Sequence, residues 1–168
     1  LNSLEMGDFF MLKSVKKIFF LLAILGITLQ PINVTADVLA AVSYLEAQTP
    51  DAWVTQALVA AGRNDVFTDH LTNVSGTLAT DYAKAILALA AAGQDPTIFG
   101  SVDYVEQLKN YHSNNQMGDE GLLNDDIWSI LALAAVGQVE STHSVDAKNF
   151  LLANQNEDGG WGYDVSGS

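Results

Sequence analysis

The sequence predicts an all-α protein built from successive αα-hairpins, and three observations carry that prediction. Ala- and Leu-rich segments alternate with more polar, amphipathic ones along residues 37–168. Each Ala/Leu-rich segment is followed by a glycine, the usual residue just past a helix end. No segment shows a convincing period-two strand pattern. Because helices that are apolar on every side belong among other helices, we expect inner apolar helices wrapped by outer amphipathic ones.

The first 36 residues are predicted to be a targeting segment rather than part of the fold. A basic stretch follows Met11, residues 18–29 form an apolar run too short to span a bilayer comfortably, and 34–36 fit a small-residue cleavage site. We expect a signal peptide over residues 11–36 and a protein that is secreted or displayed at the cell surface; an uncleaved membrane anchor is the alternative. Residues 1–10 precede Met11, which is a more natural first residue for the protein.

The composition of residues 37–168 excludes several classes of function. This part of the chain has four basic residues against 18 Asp and Glu, a net charge of −14. Such a surface repels nucleic acid and anionic lipid, so neither is expected as a partner. The chain has no cysteine, which excludes thiol catalysis, thiolate zinc sites and disulfides. No cofactor is expected.

Three apolar segments are the predicted inner helices: Ala52–Ala61, Ala83–Ala92 and Ile127–Val136. Gly62, Gly93 and Gly137 follow them as terminators. The first is expected to begin with Thr49 as the cap and Pro50 at the first helical position. The last is expected to begin with Asn124 as the cap and two acids in its first turn.

Four amphipathic segments are the predicted outer helices: Val38–Ala47, Val66–Leu71, Val102–Tyr111 and Val145–Ala153. Two of them open with the same tripeptide, Ser-Val-Asp, at 101–103 and 144–146. The repetition of this opening supports an array of similar hairpins.

A turn motif near the end of the chain is the most informative feature of the sequence. Gln155 lies six residues before Trp161, across a turn that contains Gly160. We expect the indole to cover the glutamine, whose amide then bonds the free N–H groups at the start of the next helix. A degenerate copy upstream has Gln116 and Gly121 at the corresponding positions.

This motif resembles the "QW" repeat of squalene and oxidosqualene cyclases and related prenyltransferase-repeat proteins, and the helices ending in Ala-Ala-Gly resemble that family's inner barrel. The resemblance implies an α/α-toroid, in which inner helices surround a central cavity. A closed toroid needs more hairpins than this chain contains. We therefore expect a partial α/α-toroid over residues 37–168, with the remaining repeats of the same protein downstream.

The resemblance also directs attention to the acids of the last inner helix. Cyclases that protonate their substrate carry an Asp-x-Asp-Asp motif at an inner-helix N-terminus, with the middle Asp as general acid. The corresponding residues here are Leu-Asn-Asp-Asp at 123–126, so the motif is incomplete in either register. Asp125 and Asp126 are the catalytic candidates; the alternative is that they complement the helix dipole. In an open arc, water is expected to reach Asp125 and keep it ionised.

Two further sets of residues are candidate binding groups. Trp53, Tyr82 and Trp128 lie near inner-helix starts, where aromatic rings would bind an apolar or sugar ligand or simply pack. Asn154, Asn156 and Asp158 match the first ligand positions of a calcium loop, but Val165 replaces the required acid at position twelve, so a structural turn is expected and no metal. His70, His112 and His143 are expected to be surface or turn residues.

These observations favour a secreted or cell-surface helical-repeat module that binds a ligand or a surface without catalysis. The alternatives are a fragment of a terpene cyclase and a carrier of a cobalamin-like ligand. The sequence itself leaves an apolar, a sugar and a cobalamin-like ligand open.

Overall fold

The computed structural model describes residues 37–74 and 76–167. The predicted signal peptide and residues 1–10 lie outside the described residues. Val38–Ser168 form one compact unit, to which the following description applies.

The described residues contain six α-helices and one short pair of strands. The helices are α1 (Val38–Glu46), α2 (Ala52–Ala60), α3 (Ala79–Ala91), α4 (Tyr104–Lys109), α5 (Leu123–Ala135) and α6 (Thr142–Ala153). The strands are β1 (His112–Ser113) and β2 (Gln116–Met117). The prediction of a mainly α-helical protein is confirmed. Across the described ranges, every helix is too short or too polar to cross a membrane.

The three Ala/Leu-rich helices pack side by side. Helix α3 contacts α2 on one side and α5 on the other, while α1 packs against α2, α4 against α3 and α6 against α5. Helix α3 is the centre of the core, and its apolar side chains Ala83, Ile86 and Leu89 are fully buried. Small alanine faces let these helices approach closely, which suits the middle of a layered helical core.

The expectation that every Ala/Leu-rich helix is buried on all sides is wrong for α2 and for part of α5, where Leu131 is 47% exposed. Thr55 is the one fully buried residue of α2. The physical reason is its position, because α2 packs mainly against α1 and α3. Its remaining surface therefore meets solvent, and Trp53 is 44% exposed.

The predicted helix terminators are confirmed. Gly62, Gly93 and Gly137 have φ values of 88°, 71° and 75°, the left-handed conformation that glycine adopts without steric cost. In each case the residue after the glycine donates its N–H to the carbonyl five residues back. These bonds are Arg63 to Leu58 at 3.1 Å, Gln94 to Leu89 at 2.9 Å and Gln138 to Leu133 at 2.8 Å. All three helices therefore end in the same Schellman motif.

The predicted helix starts need correction. Asp51, rather than Thr49, is the N-cap of α2, and its carboxylate accepts a 2.8 Å hydrogen bond from the Val54 N–H. Helix α5 begins after Leu122, so Asn124 lies inside its first turn instead of capping it. Helices α3 and α5 both begin four residues before their predicted starts.

The predicted outer helices also differ from those observed. The segment Val66–Leu71 forms only a single 3₁₀ turn, Asp69–Leu71. The buried Tyr104 hydroxyl donates a 2.8 Å hydrogen bond to the Leu71 carbonyl in this turn. Helix α4 is shorter than predicted, and α6 starts earlier, after its cap Ser141.

The expectation that the chain contains no strand is wrong at one hairpin. Strands β1 and β2 are antiparallel, with His112 opposite Met117. The two residues between them, Asn114 and Asn115, have φ values of 49° and 60°. Asparagine tolerates this left-handed conformation, which is the one that a tight two-residue hairpin requires. The second strand of the hairpin begins the upstream copy of the turn motif.

Candidate functional site

The two candidate acids are buried at the start of α5. Asp125 is 4% exposed and Asp126 is fully buried. Both belong to the first turn of a helix that packs between α3 and α6. A turn formed by residues 117–119, which begins at the end of β2, lies over this first turn of α5 and shields both carboxylates from water.

Backbone N–H groups of the covering turn bind both carboxylates. The Met117 N–H donates to Asp126 Oδ1 at 2.8 Å, and the Asp119 N–H donates to Asp125 Oδ2 at 3.0 Å. Gly118 stands between these donors with φ 81°, and a Cβ there would lie 2.2 Å from Asp125 Oδ2. The two acids therefore hold the turn against the helix, and only glycine fits at the point of closest approach.

Helix α3 begins in a similar way. It also follows a leucine in extended conformation, and its third residue is Asp81. The Asp81 carboxylate accepts a 3.1 Å hydrogen bond from the Leu78 N–H, and a Cβ on Gly76 would overlap it. First-turn carboxylates that bind the preceding loop are thus a repeated feature of these helices.

Burial changes the acidity of both candidates. Burial raises the pKa of Asp126 to about 7; the Met117 N–H opposes this rise and the nearby Asp125 charge adds to it. Burial is also the main cause of a raised pKa at Asp125, with smaller contributions from the charges of Asp119 and Asp81. The expectation that water reaches Asp125 freely is therefore wrong, because the turn covers it.

Three buried polar atoms belong to Asp126 and to residues close to it or to its hydrogen-bond partner in sequence. Asp126 Oδ2, Gln116 Oε1 and Ser129 Oγ are all buried, and none has a hydrogen-bond partner among the residues that the structure describes. Gln116 directly precedes the Met117 N–H that binds Asp126, and Ser129 lies one helical turn beyond it. A neutral, protonated Asp126 is less costly in this setting than a carboxylate.

A cleft of about 330 Å³ opens beside these acids, between the starts of α3 and α5. Its lining includes Leu78, Tyr111, Asn124, Asp125 and Tyr163. The Tyr111 hydroxyl donates to the Thr77 carbonyl at 2.8 Å, so this ring is held in place. Asp125 lines this cleft. Asp126 is fully buried and is not among the described residues that line it.

Two of the three candidate aromatic residues lie in contact. The rings of Trp53 and Trp128 are 4.9 Å apart in an edge-to-face arrangement with an interplanar angle of 72°. Trp128 Nε1 donates to Asn124 Oδ1 at 3.0 Å, which fixes its ring, whereas Trp53 keeps a largely open surface. Tyr82 instead packs near Tyr104 and Tyr111, at ring distances of 6.4 and 5.7 Å.

The exposed side of Trp53 faces a second cleft of about 330 Å³. The walls of this cleft combine apolar groups from Leu71 and Val74 with an amide, a carboxylate and an amine. The polar side chains include Asn73, Asp81 and Lys84, and Asp51 and His70 line the cleft as well. An aromatic platform beside mixed hydrogen-bonding groups is the usual composition of a site for a small polar ligand.

The two copies of the turn motif share one hydrogen bond made by an aspartate. Asp119 Oδ1 accepts the Gly121 N–H, and Asp158 Oδ1 accepts the Gly160 N–H, each at 2.8 Å. An isolated β-bridge between Leu122 and Asp164 joins the two segments that follow. The two aspartates thus make the same local bond, although the left-handed glycine is Gly118 in one copy and Gly159 in the other.

The glutamines of the motif do not make the predicted bond to the next helix. Gln155 Nε2 donates to the Gly159 carbonyl at 2.7 Å, and Gln116 Nε2 donates to the Gly118 carbonyl at 3.1 Å. Trp161 Nε1 reaches back to the Leu151 carbonyl at 2.7 Å and is 43% exposed. The tryptophan therefore ties the turn to the end of α6.

The calcium-like residues take part in the structure of this same turn. Asn154 Nδ2 donates to the Phe150 carbonyl at 2.9 Å, and Asp158 accepts the Gly160 N–H. Asn156 Oδ1 is buried, and no described residue supplies a hydrogen bond to it. Within 37–74 and 76–167, no group of three or more His, Cys, Asp or Glu side chains is arranged to hold a metal ion.

Sequence reasoning missed a histidine pair. The rings of His112 and His143 are 4.9 Å apart, and His112 Nε2 lies 3.0 Å from Asp146 Oδ2. The one available signal was the spacing of His143 and Asp146, which places them on one face of α6. His112, the third residue of this group, lies in β1, too far from α6 in sequence for any local pattern to connect them.

Comparison with known proteins leaves the family unassigned. A scan against protein-family models finds no matching family, and searches among curated proteins and among solved structures find no match. The resemblance to the cyclase repeats therefore stays a prediction that rests on the residues of this chain.

Proposed function

We propose that this chain is a secreted or cell-surface module of the α/α-toroid type that binds carbohydrate, without catalysis, in the cleft beside Trp53. The observation that carries the proposal is the half-exposed indole of Trp53, held edge-to-face by Trp128 at 4.9 Å. Further repeats of the same protein would extend the row formed by α2, α3 and α5.

The chemistry of the cleft favours a sugar over a purely apolar ligand. A sugar ring presents an apolar C–H face, which stacks on an indole, and hydroxyl groups that donate and accept hydrogen bonds. Asn73, Asp81 and Lys84 supply both donors and acceptors around Trp53. A purely apolar ligand would leave these polar groups without partners, at a cost in free energy.

The hydrogen bonding of the acid pair supports the non-catalytic part of the proposal. Asp125 and Asp126 each give one oxygen to a backbone N–H of the covering turn. Asp126, the more perturbed acid, is fully buried behind the neighbouring cleft. A general acid must reach the atom that it protonates, and here the buried carboxylate contacts the turn instead.

Calorimetric titration with cellohexaose, chitohexaose and maltohexaose tests the proposal. We expect saturable binding of at least one of these sugars, and Trp53→Ala should weaken it by roughly tenfold or more because the stacking surface is lost. Trp161→Ala is the matched control, since Trp161 has nearly the same exposure at a distant turn. Absence of binding to all three sugars, or an equal loss in both variants, would contradict the proposal.

A fragment of a terpene cyclase is the second candidate, and the raised pKa of Asp126, about 7, is the observation that favours it. A general acid needs a pKa near the working pH. Incubation of the purified chain with squalene, followed by analysis of the extracted lipids, separates the two candidates. We expect squalene to be recovered unchanged; a cyclised product that disappears with Asp126→Asn would establish the cyclase instead.

A further inference from the structure

A third cleft, separate from the acid pair, lies between the end of α1, α2 and the segment 63–70. Its volume is about 230 Å³, which is smaller than most drug-sized sites and suits a ligand of fragment size. Its walls are mainly apolar. The apolar lining includes Leu45, Val54, Leu58, Val66 and Phe67.

One polar pair lies in this apolar wall. Thr55 is 1% exposed, and its Oγ1 lies 3.1 Å from His70 Nε2. The ring of Phe67 stacks on His70, with centroids 6.1 Å apart and an interplanar angle of 27°. The orientation of the imidazole is therefore fixed by Phe67 on one face of the ring and by Thr55 at Nε2.

The other nitrogen of His70 has an unused hydrogen-bonding function. His70 Nδ1 is buried, and no partner for it exists in the part of the chain that the structure describes. If the Thr55 hydroxyl donates to Nε2, then Nδ1 carries the proton and is a donor; if Nε2 donates to Thr55, then Nδ1 is an acceptor. A hydroxyl group on a ligand satisfies either state, because it both donates and accepts.

The charges at the mouth of the cleft exclude an anionic ligand. Arg63 pairs with Glu46 and lies 3.2 Å from Asp65, so its charge is already balanced by two carboxylates. The chain as a whole is strongly acidic. A carboxylate or phosphate would meet repulsion here, and a neutral molecule would not.

We propose that this cleft binds a small neutral molecule of the phenol or alcohol class, with its apolar body among the aliphatic side chains and its hydroxyl paired with His70. This cleft shares Pro50 and His70 with the cleft beside Trp53, but Trp53 does not line it, and its other walls are different. The proposal predicts discrimination by a single hydroxyl group, because the remaining contacts are apolar.

Fluorine NMR with 4-fluorophenol and fluorobenzene tests this site on the whole chain. We expect 4-fluorophenol to bind saturably and roughly fivefold more tightly than fluorobenzene, the range for one hydrogen bond. In ¹H–¹⁵N spectra the amides of Thr55, Val66 and His70 should shift. Trp53→Ala should leave this binding unchanged, which separates it from the sugar cleft.

Two variants and one control complete the test. His70→Phe should bind both probes equally, whereas His143→Phe, a histidine outside the cleft, should keep the preference for 4-fluorophenol. Leu58→Trp fills the cleft without altering His70 and should abolish binding of both probes. Absence of saturable binding to the wild type, a preference that survives His70→Phe, or binding that survives Leu58→Trp would each overturn the proposal.

Discussion

At the scale of single residues, the properties of this protein depend most on the two buried aspartates at the start of α5. Each accepts a backbone N–H from the turn above, so each side chain joins two segments that are separate in sequence. Their burial makes them costly to ionise. The folded state is most stable when Asp126 carries its proton, because burial disfavours the ionised form more than the Met117 N–H favours it.

The first prediction concerns pH. The pKa of Asp126 is raised to about 7 from an ordinary 3.8, so the folded state holds a proton that the unfolded state releases between these values. Stability should therefore fall as pH rises through this window, by roughly 2–3 kcal/mol between pH 5 and pH 8, and level off above it. Urea unfolding at both pH values measures the difference.

Two comparisons isolate the contribution of Asp126. Burial lowers the pKa of His143, which makes stability rise with pH and opposes the slope from Asp126. Asp126→Asn should make the profile less steep and leave the contribution of Asp125, whose pKa burial also raises. Glu157→Gln, at an exposed acid, should leave the profile as in the wild type. An Asp126→Asn profile as steep as that of the wild type would exclude Asp126 as the cause.

A second prediction concerns Gly118. Alanine at this position would adopt an unfavourable φ of 81° and place its Cβ 2.2 Å from Asp125 Oδ2. We expect Gly118→Ala to lower the free energy of unfolding by roughly 2–4 kcal/mol, since backbone strain and overlap add. Gly93→Ala is the matched control: its φ is 71°, nothing lies within 4 Å, and it should cost only about 1 kcal/mol. If Gly118→Ala and Gly93→Ala lower the free energy of unfolding equally, the turn at Gly118 moves to accommodate a Cβ and the close contact with Asp125 does not contribute.

At the scale of the elements, the ends of the helices are better predicted from sequence than their starts. The three Schellman ends depend on a glycine and its immediate neighbours, which are local information. At the starts of α3 and α5, Asp81 and Asp126 accept hydrogen bonds from backbone N–H groups that precede the helix. Because of these bonds, polar residues whose sequence is typical of a loop belong to the first turn of each helix. The β1–β2 hairpin was overlooked because its strands are too short to show alternation.

The candidate site was predictable only in part for the same reason. The sequence singled out Trp53, Trp128 and the acid pair as chemically suggestive residues. It did not indicate that Trp53 and Trp128 touch, that Asp126 is fully buried, or that His112 meets His143. These facts depend on contacts between helices, which no local pattern encodes.

The third prediction concerns the turn after α6. Trp161 donates to the Leu151 carbonyl but is 43% exposed, so truncation removes one hydrogen bond and a modest buried area. Trp161→Ala should cost about 1–2 kcal/mol, less than the roughly 3–5 kcal/mol expected of a buried aromatic residue. Trp161→Phe keeps the ring and should recover part of the loss. Thermal unfolding of both variants measures this, and an unchanged melting temperature would mean that Trp161 does not support the turn.

At the scale of the whole molecule, the described helices form a row with α3 at its centre and clefts near the helix starts. Such a row suits a binding module, because the helices hold side chains from several loops in fixed positions around each cleft. The structural hydrogen bonds of Asp125 and Asp126 fit this role better than that of an acid catalyst. The central claim is that the surface beside Trp53 is the one used for recognition.

The indole N–H signals of the three tryptophans test that claim most directly. The chain has three tryptophans, so a ¹H–¹⁵N spectrum contains three such signals, assignable with single Trp→Phe variants. During titration with whichever hexasaccharide binds in the calorimeter, we expect Trp53 to shift most, Trp128 to shift with it because the rings are 4.9 Å apart, and Trp161 to stay in place. A titration in which Trp53 is unmoved, or in which only Trp161 shifts, would contradict the account.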